Sequence, residues 1–223
     1  MWNKKVGINI PDVKGVLFDV DGTLYHQTPV RICMAILLIS SNIHRPMELL
    51  RKLSVIIHYR KSQEILRIYN GTLRCCLQEQ LMLTAQRTGE SFNFVSSVID
   101  EWFERKPLPF IRLFRRKSIT SEIERLHKTG MKLGVYSDYP VSDCKLKSLG
   151  LQQFISIAVS PKTPEVRGFK PKSNGFLVAA DQMGLKPFEI LYVGDRRDVD
   201  ERGALNAGMR CLIVRGFFNK KEV

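Results

Sequence analysis

The hydrophobic rhythm of this chain changes twice. Residues Val13 to Val20, VKGVLFDV, form a short β-branched apolar run that leads into Asp-Val-Asp-Gly, which reads as a buried strand delivering two carboxylates to a tight turn. From Pro29 to about Phe114 the apolar residues instead fall three and four apart, in PVRICMAILLISSNIH, RPMELLRKLSVIIHYRKSQEILRIY, TLRCCLQEQLMLTAQRTG and SFNFVSSVIDEWFERK. That spacing predicts four helices. After Pro107 and Pro109, helical patterns alternate with apolar runs, as in SEIERLHKTG, MKLGVYSD, VSDCKLKSLG, FISIAVS, SNGFLVAADQMG, EILYVGD, ERGALNAG and MRCLIV. Gly130, Gly150, Gly184 and Gly208 stand where several of these helices should close. Such alternation predicts an α/β fold, a doubly wound parallel sheet with helices on both faces, interrupted after its first strand by a helical insertion. No internal repeat or low-complexity stretch breaks the pattern.

Composition narrows the picture. With 223 residues and 44% hydrophobic content, the chain can fill one full core and a smaller accessory unit. Its five cysteines, Cys33, Cys75, Cys76, Cys144 and Cys211, are odd in number and lack metal-ligand spacing, which points to a reducing compartment and a cytoplasmic location. The amino-terminal MWNKKVGINIPDVKG lacks the apolar stretch of an export signal, and no segment has the length of a transmembrane span. The longest apolar run, Ile32 to Ser41, is expected to be buried in the core of the inserted helices.

A formal charge of +13 favours an anionic partner: a small phosphate ester, a nucleic acid or an anionic membrane surface. The excess is concentrated between His26 and Ser118, where 15 Lys and Arg face 7 Asp and Glu.

The candidate chemistry gathers at strand ends. In a doubly wound sheet, ligands bind beyond the carboxyl ends of the strands, so the polar residues that follow each apolar run should converge. Those residues are Asp19 with Asp21, Ser137, Lys170, and Asp195 with Asp198 and Asp200. A carboxylate beside a divalent cation can attack phosphorus, which suits Asp19; a second carboxyl two residues on can protonate the leaving oxygen and then activate water, which suits Asp21. The Ser137 hydroxyl would donate to a phosphoryl oxygen, and Lys170 would neutralise both phosphate and nucleophile. Singly, each has a plainer reading: a turn at Asp21-Gly22, a cap at Ser137, a solvated charge at Lys170, a helix start at Asp195 to Asp200. Their ordered recurrence at four strand ends is what favours the chemical reading. The four histidines show no paired spacing and are read as structural, with His26 the one near the nucleophile turn.

The segments FDVDGTLY, VYSD, FKPKSNGF and YVGDRRDVDERGALNAGM resemble, in order, the four motifs of the haloacid dehalogenase-like (HAD) superfamily. The resemblance implies a Rossmann-like catalytic core over residues 1–27 and 111–223 with a helical cap domain over 28–110. It further implies a magnesium-dependent phosphatase that hydrolyses a phosphate monoester through an aspartyl-phosphate on Asp19. An Asp at the position of Asp21 marks phosphatases and phosphomutases of the family and argues against carbon–halogen chemistry. Mg2+ would be held by the Asp19 carboxylate, the Asp21 carbonyl and Asp195, with Asp200 favoured over Asp198 as the supporting acid. Ser137, Asp138 and Lys170 would face the phosphate; Asp138 is a departure, since many relatives carry an uncharged residue there.

The expected substrate is a small phosphorylated metabolite or a lipid-linked phosphate. Arg31, Arg60, Lys61 and Arg67 are candidate anion contacts from the insertion, with a solvated helix face the plainer reading of each. Peripheral contact with an anionic membrane is admissible, and nucleic acid is disfavoured. Two rivals remain, a phosphomutase and a catalytically silent basic binding protein on the same fold. Oligomeric state is not legible.

Overall fold

The structure, a computed structural model, describes residues 12–214. Five strands form one fully parallel sheet in the order β3-β2-β1-β4-β5: β1 (Gly15–Phe18), β2 (Lys132–Tyr136), β3 (Ile157–Val159), β4 (Ile190–Gly194) and β5 (Arg210–Ile213). This is the predicted α/β doubly wound core. Side chains alternate across the pleat. Val16, Phe18, Leu133, Val135, Leu191 and Val193 enter the core on one face. Leu17, Tyr136, Ile190 and Tyr192 enter the core on the other. Both faces are covered, so the strands read as near-continuous apolar runs. The order reverses on either side of β1, which opens a crevice beyond the carboxyl ends of β1, β2 and β4.

Helices α1 (Gln27–Ser41), α2 (Pro46–Ile68), α3 (Cys76–Thr88) and α4 (Phe92–Ile99) lie between β1 and β2. They hold a separate apolar cluster that includes Leu38, Val55, Tyr59, Leu81, Val95 and Trp102. Two details differ from the sequence expectation. The fourth helix runs on as a π-helical turn, Asp100–Arg105, and a further short helix, α5 (Leu108–Leu113), follows. Pro107 and Pro109 sit at the start of that helix, where a proline in the first helical turn loses no hydrogen bond.

The run Ile32 to Ser41 is core along one face only: Leu38 is buried with Met34 and Leu37 packed beside it, but Ile32, Ile36 and Ile39 are 55%, 62% and 56% exposed. In α1 only Val30 and Leu38 are buried. The helix lies at the edge of the insertion, so only one of its faces has a partner.

The insertion is joined to the sheet domain beyond its two chain connections. Leu66, Leu73 and Cys76 pack with Phe169 and Phe176 beneath the sheet. The Leu73 amide donates to the Arg167 carbonyl at 3.1 Å, the Cys76 thiol to the Val166 carbonyl at 3.2 Å, and Lys172 Nζ to the Gly71 carbonyl at 3.1 Å.

The core ends with α6 (Lys117–Lys128), α7 (Asp143–Leu149), α8 (Asn174–Met183) and α9 (Arg202–Asn206), the last preceded by a π-helical turn, Arg197–Glu201. Gly130, Gly150, Gly184 and Gly208 all adopt positive φ and close helices as expected.

Candidate active site

The turn after β1 begins as an extension of the ladder, the Asp19 amide donating to the Val193 carbonyl at 2.8 Å. The turn is tight because Gly22 sits at φ 105°, and a Cβ there would lie 2.2 Å from Asp195 Oδ2. Only glycine lets the β1 turn press against the β4 loop, and that contact brings Asp19 and Asp195 together. One ligand oxygen each from Asp19, Asp195 and Asp200 lies within 4.8 Å of the others.

Asp200 is buried and well held. Its Oδ2 accepts from the Asp195 and Arg196 amides at 3.2 and 3.1 Å, and its Oδ1 accepts from Lys170 Nζ at 2.9 Å and Tyr192 OH at 3.1 Å. Asp198 pairs instead with Arg196, at 2.6 Å, on the surface. The structure therefore brings Asp200, not Asp198, into the cluster.

Lys170 Nζ lies 2.7 Å from Asp19 Oδ1, which leaves Asp19 Oδ2 buried with no hydrogen-bond partner among the described residues. Burial would strip the Lys170 proton, but Asp19, Asp200 and Asp138 outweigh it and hold the ammonium above its usual range. Burial pushes the Asp19 carboxyl well above the carboxylate range against the pull of Lys170, with Asp200, Asp195 and Asp21 adding to the rise. Asp195 is pushed up to about 6, by burial and then by Asp200. With all three ionised, as a bound cation would keep them, three carboxylates and one ammonium carry two excess negative charges in a confined space; the raised pKa values of Asp19 and Asp195 express that crowding. An oxygen-rich set of this charge, with an orphaned carboxylate oxygen at its centre, fits a hard divalent cation.

Asp21 is held differently. Ser137 Oγ donates to its Oδ2 at 2.8 Å, Lys145 Nζ approaches both oxygens at 3.0 and 3.2 Å, and Tyr25 OH donates to Oδ1. Burial would raise its pKa, but Lys145, Tyr25 and Ser137 together hold it below the usual range. Lys145 and Tyr25 were not singled out from sequence. Lys145 sits in α7 among ordinary helix residues, and its one local signal is that it falls eight residues after Ser137 in a chain whose strand ends carry the site. Ser137 directly follows β2, its amide donating to the Val159 carbonyl at 3.2 Å and its Oγ accepting from the Tyr139 amide at 3.0 Å.

Asp138 stands beside the crevice, but both its carboxylate oxygens are taken. Oδ2 pairs with Arg67 at 2.9 Å, and Oδ1 accepts from the Lys170 amide at 3.0 Å. Its carbonyl accepts from Gln63 at 2.7 Å. It therefore links α2 of the insertion to the lysine loop.

The crevice itself holds about 350 Å³. Its floor is Asp19, Asp21, Ser137, Lys170, Asp195 and Asp200, and the insertion lines the opposite wall with Arg31, Arg60, Lys61 and Arg67. Carboxylates below and guanidinium and ammonium groups above form a space suited to a metal-bound anion.

Comparison with known proteins agrees with this geometry. The family model for haloacid dehalogenase-like hydrolase matches residues 16–214. A glyceraldehyde 3-phosphate phosphatase of Methanopyrus kandleri is 31% identical, over 91% of this chain and 84% of its own. A phosphoglycolate phosphatase of Salmonella typhi is 23% identical, over 96% and 86%. Among solved structures, a HAD phosphatase from Thermococcus onnurineus superposes with a TM-score of 0.62 at 20% identity, covering 94% of this chain and 89% of that one. With four ordered motifs meeting in one crevice and a family match over nearly all the described residues, the chain belongs to the haloacid dehalogenase-like hydrolase family, in its phosphatase type.

Proposed function

We propose that the chain is a magnesium-dependent phosphatase acting on a phosphate monoester, with Asp19 as nucleophile and Asp21 as general acid/base. The observation that carries this is the pair of carboxylates on the β1 turn: Asp19 has one oxygen on Lys170 and the other without a partner, and Asp21 is ringed by proton donors. Mg2+, held by Asp19, Asp195 and the Asp21 carbonyl with Asp200 in support, would neutralise the carboxylate cluster and the transferring phosphoryl group.

In the first half-reaction an Asp19 oxygen bonds to phosphorus, the bond from phosphorus to the ester oxygen breaks, and Asp21 gives that oxygen its proton. In the second, Asp21 takes a proton from water, the water oxygen bonds to phosphorus, and the Asp19–phosphorus bond breaks to release phosphate. The free site holds Asp21 ionised, which suits the second step. The first step needs a protonated Asp21, and a bound phosphoryl group that draws the Ser137 hydroxyl to itself removes one of the donors that keep Asp21 ionised. Lys170 binds the phosphoryl oxygens and orients Asp19; Lys145 and Tyr25 orient Asp21.

Residues 28–110 act as a cap and 1–27 with 111–223 as the catalytic core, a division supported by the separate apolar cluster of the insertion. The ends of that core, 1–11 and 215–223, lie outside the described residues.

The test is phosphate release from a panel that includes glyceraldehyde 3-phosphate and phosphoglycolate, with and without magnesium. Release that needs magnesium and vanishes in Asp19→Asn is expected. A phosphoryl group retained on the product would instead mark a mutase, and folded protein with no release from any ester would refute the reading.

A further inference from the structure

We propose that the leaving group is an apolar alcohol, aliphatic or isoprenoid, seated in a second cavity that adjoins the crevice; the assignment rests on the phosphatase reading above. The cavity holds about 230 Å³ and lies between α1, α2 and the π-helical end of α4. Its walls are largely Met34, Leu38, Leu53, Ile56, Trp102 and Phe103. Asp21, Gln27, Arg31, Arg60 and Tyr139 line both spaces, so the two meet at the residue assigned to the leaving oxygen. Direction follows from that junction. A phosphoryl group beside Asp19 and Lys170 turns its ester oxygen toward Asp21, and the carbon portion passes the polar neck into the apolar space.

Beyond the neck the walls are mostly hydrocarbon, so a sugar or glyceryl group would leave most of its hydroxyls without partners, a penalty that an alkyl chain avoids. A dry apolar cavity of ~150 Å³ accommodates a benzene ring, so this one has room for roughly nine carbons. The cavity is also open on one flank. Leu53 and Ile57 line it and yet are 40% and 42% exposed. Ala35 lines it from α1, and Ile32 and Ile39, about one turn to either side on the same helix face, are exposed as well. A chain longer than the cavity therefore emerges beside apolar side chains, which gives the solvent-facing isoleucines of α1 a use.

The experiment compares kcat/KM for ethyl, butyl, hexyl, octyl and decyl phosphate with that for glyceraldehyde 3-phosphate and phosphoglycolate. A rise of about fourfold per methylene, equivalent to ~0.8 kcal/mol, is expected until the cavity is full. Octyl phosphate should then exceed both polar esters. In Ala35→Trp, a change on the open flank, the octyl-to-ethyl ratio of kcat/KM should fall by roughly tenfold or more. A flat or falling chain-length series, a polar ester turned over better than octyl phosphate, or an unchanged ratio in a folded Ala35→Trp would each overturn the proposal.

Binding of alkyl phosphonates, followed by thermal shift, separates this failure from failure of the phosphatase reading. Phosphonate affinity that rises with chain length while no ester is hydrolysed refutes the reaction and supports the cavity assignment. Affinity independent of length refutes the cavity assignment whatever the turnover.

Discussion

Replacing Lys145 by methionine removes the one cation among the described residues that touches both oxygens of Asp21. Burial then dominates, so the Asp21 pKa rises, and the limb of the pH–rate profile that carries it moves to higher pH. A charged hydrogen bond contributes about 1.5–3 kcal/mol, so the shift should be about one to two pH units, read from kcat/KM against pH. A profile unmoved by Lys145→Met would remove that residue from the positioning of Asp21. Gly22→Ala tests a different contact, since its Cβ would collide with Asp195 at a φ that L residues avoid. We expect turnover to need about tenfold more magnesium, the scale of loss when the support of a metal ligand is disturbed, with little change in overall fold by circular dichroism. The thiols offer a check on burial: Cys76 and Cys211 are pushed up to about 12, first by burial, whereas Cys144 is exposed. At pH 8 only about one in ten thousand of the Cys76 and Cys211 groups is thiolate, so iodoacetamide should label Cys144 first, as peptide mapping would record.

At the scale of elements, the contact to test is the one that fastens α2 to the end of β2. Arg67 and Asp138 pair at 2.9 Å with side chains only 8% and 10% exposed. Removing one partner strands the other charge in a buried site, at a cost of about 3–5 kcal/mol. Arg67→Ala should therefore lower the melting temperature by roughly 6–20 °C for a chain of this size. A loss of a degree or two would mean that the Asp138 carboxylate finds water or another donor when α2 lets go. The same pairing explains why an acidic residue is compatible with the position after Ser137: the charge of Asp138 is spent on the insertion and on the lysine loop rather than on the substrate.

For the whole molecule, the carboxylate cluster makes stability a function of metal. If the cluster holds magnesium as proposed, the ion would bind the folded site and not the unfolded chain, so at one hundred times its dissociation constant it should stabilise by about 2.7 kcal/mol, and Asp195→Asn should abolish most of that gain. Thermal unfolding with magnesium and with a chelator measures it directly, and a melting temperature indifferent to magnesium in the wild type would argue against the cation site. No helix among the described residues is long and apolar enough to cross a membrane. The exposed isoleucines of α1 are, on the proposal above, the surface beside which a longer alkyl chain emerges.

The alternation of periods, the four strand-end motifs and the glycines that close helices are local properties of the chain, and they determined the parallel sheet, the place of the insertion and the identities of Asp19, Asp21, Ser137, Lys170, Asp195 and Asp200. Strand and helix periods are set within a few residues, so sequence carries them. What tertiary structure alone decided depends on residues far apart. Lys145 reaches Asp21 across 124 positions, and Arg67 meets Asp138 across 71. The preference for Asp200 over Asp198 was already legible in the spacing of the last motif; what the fold added is the set of donors that holds Asp200, from Lys170, Tyr192 and the Asp195 and Arg196 amides. The exposure of Ile32 and Ile36 was invisible, because a run of apolar residues fixes a helix and its apolar face but not whether a second layer arrives to cover it. For the same reason the cavity between α1 and α2, whose walls come from several separate segments, has no signature in the sequence.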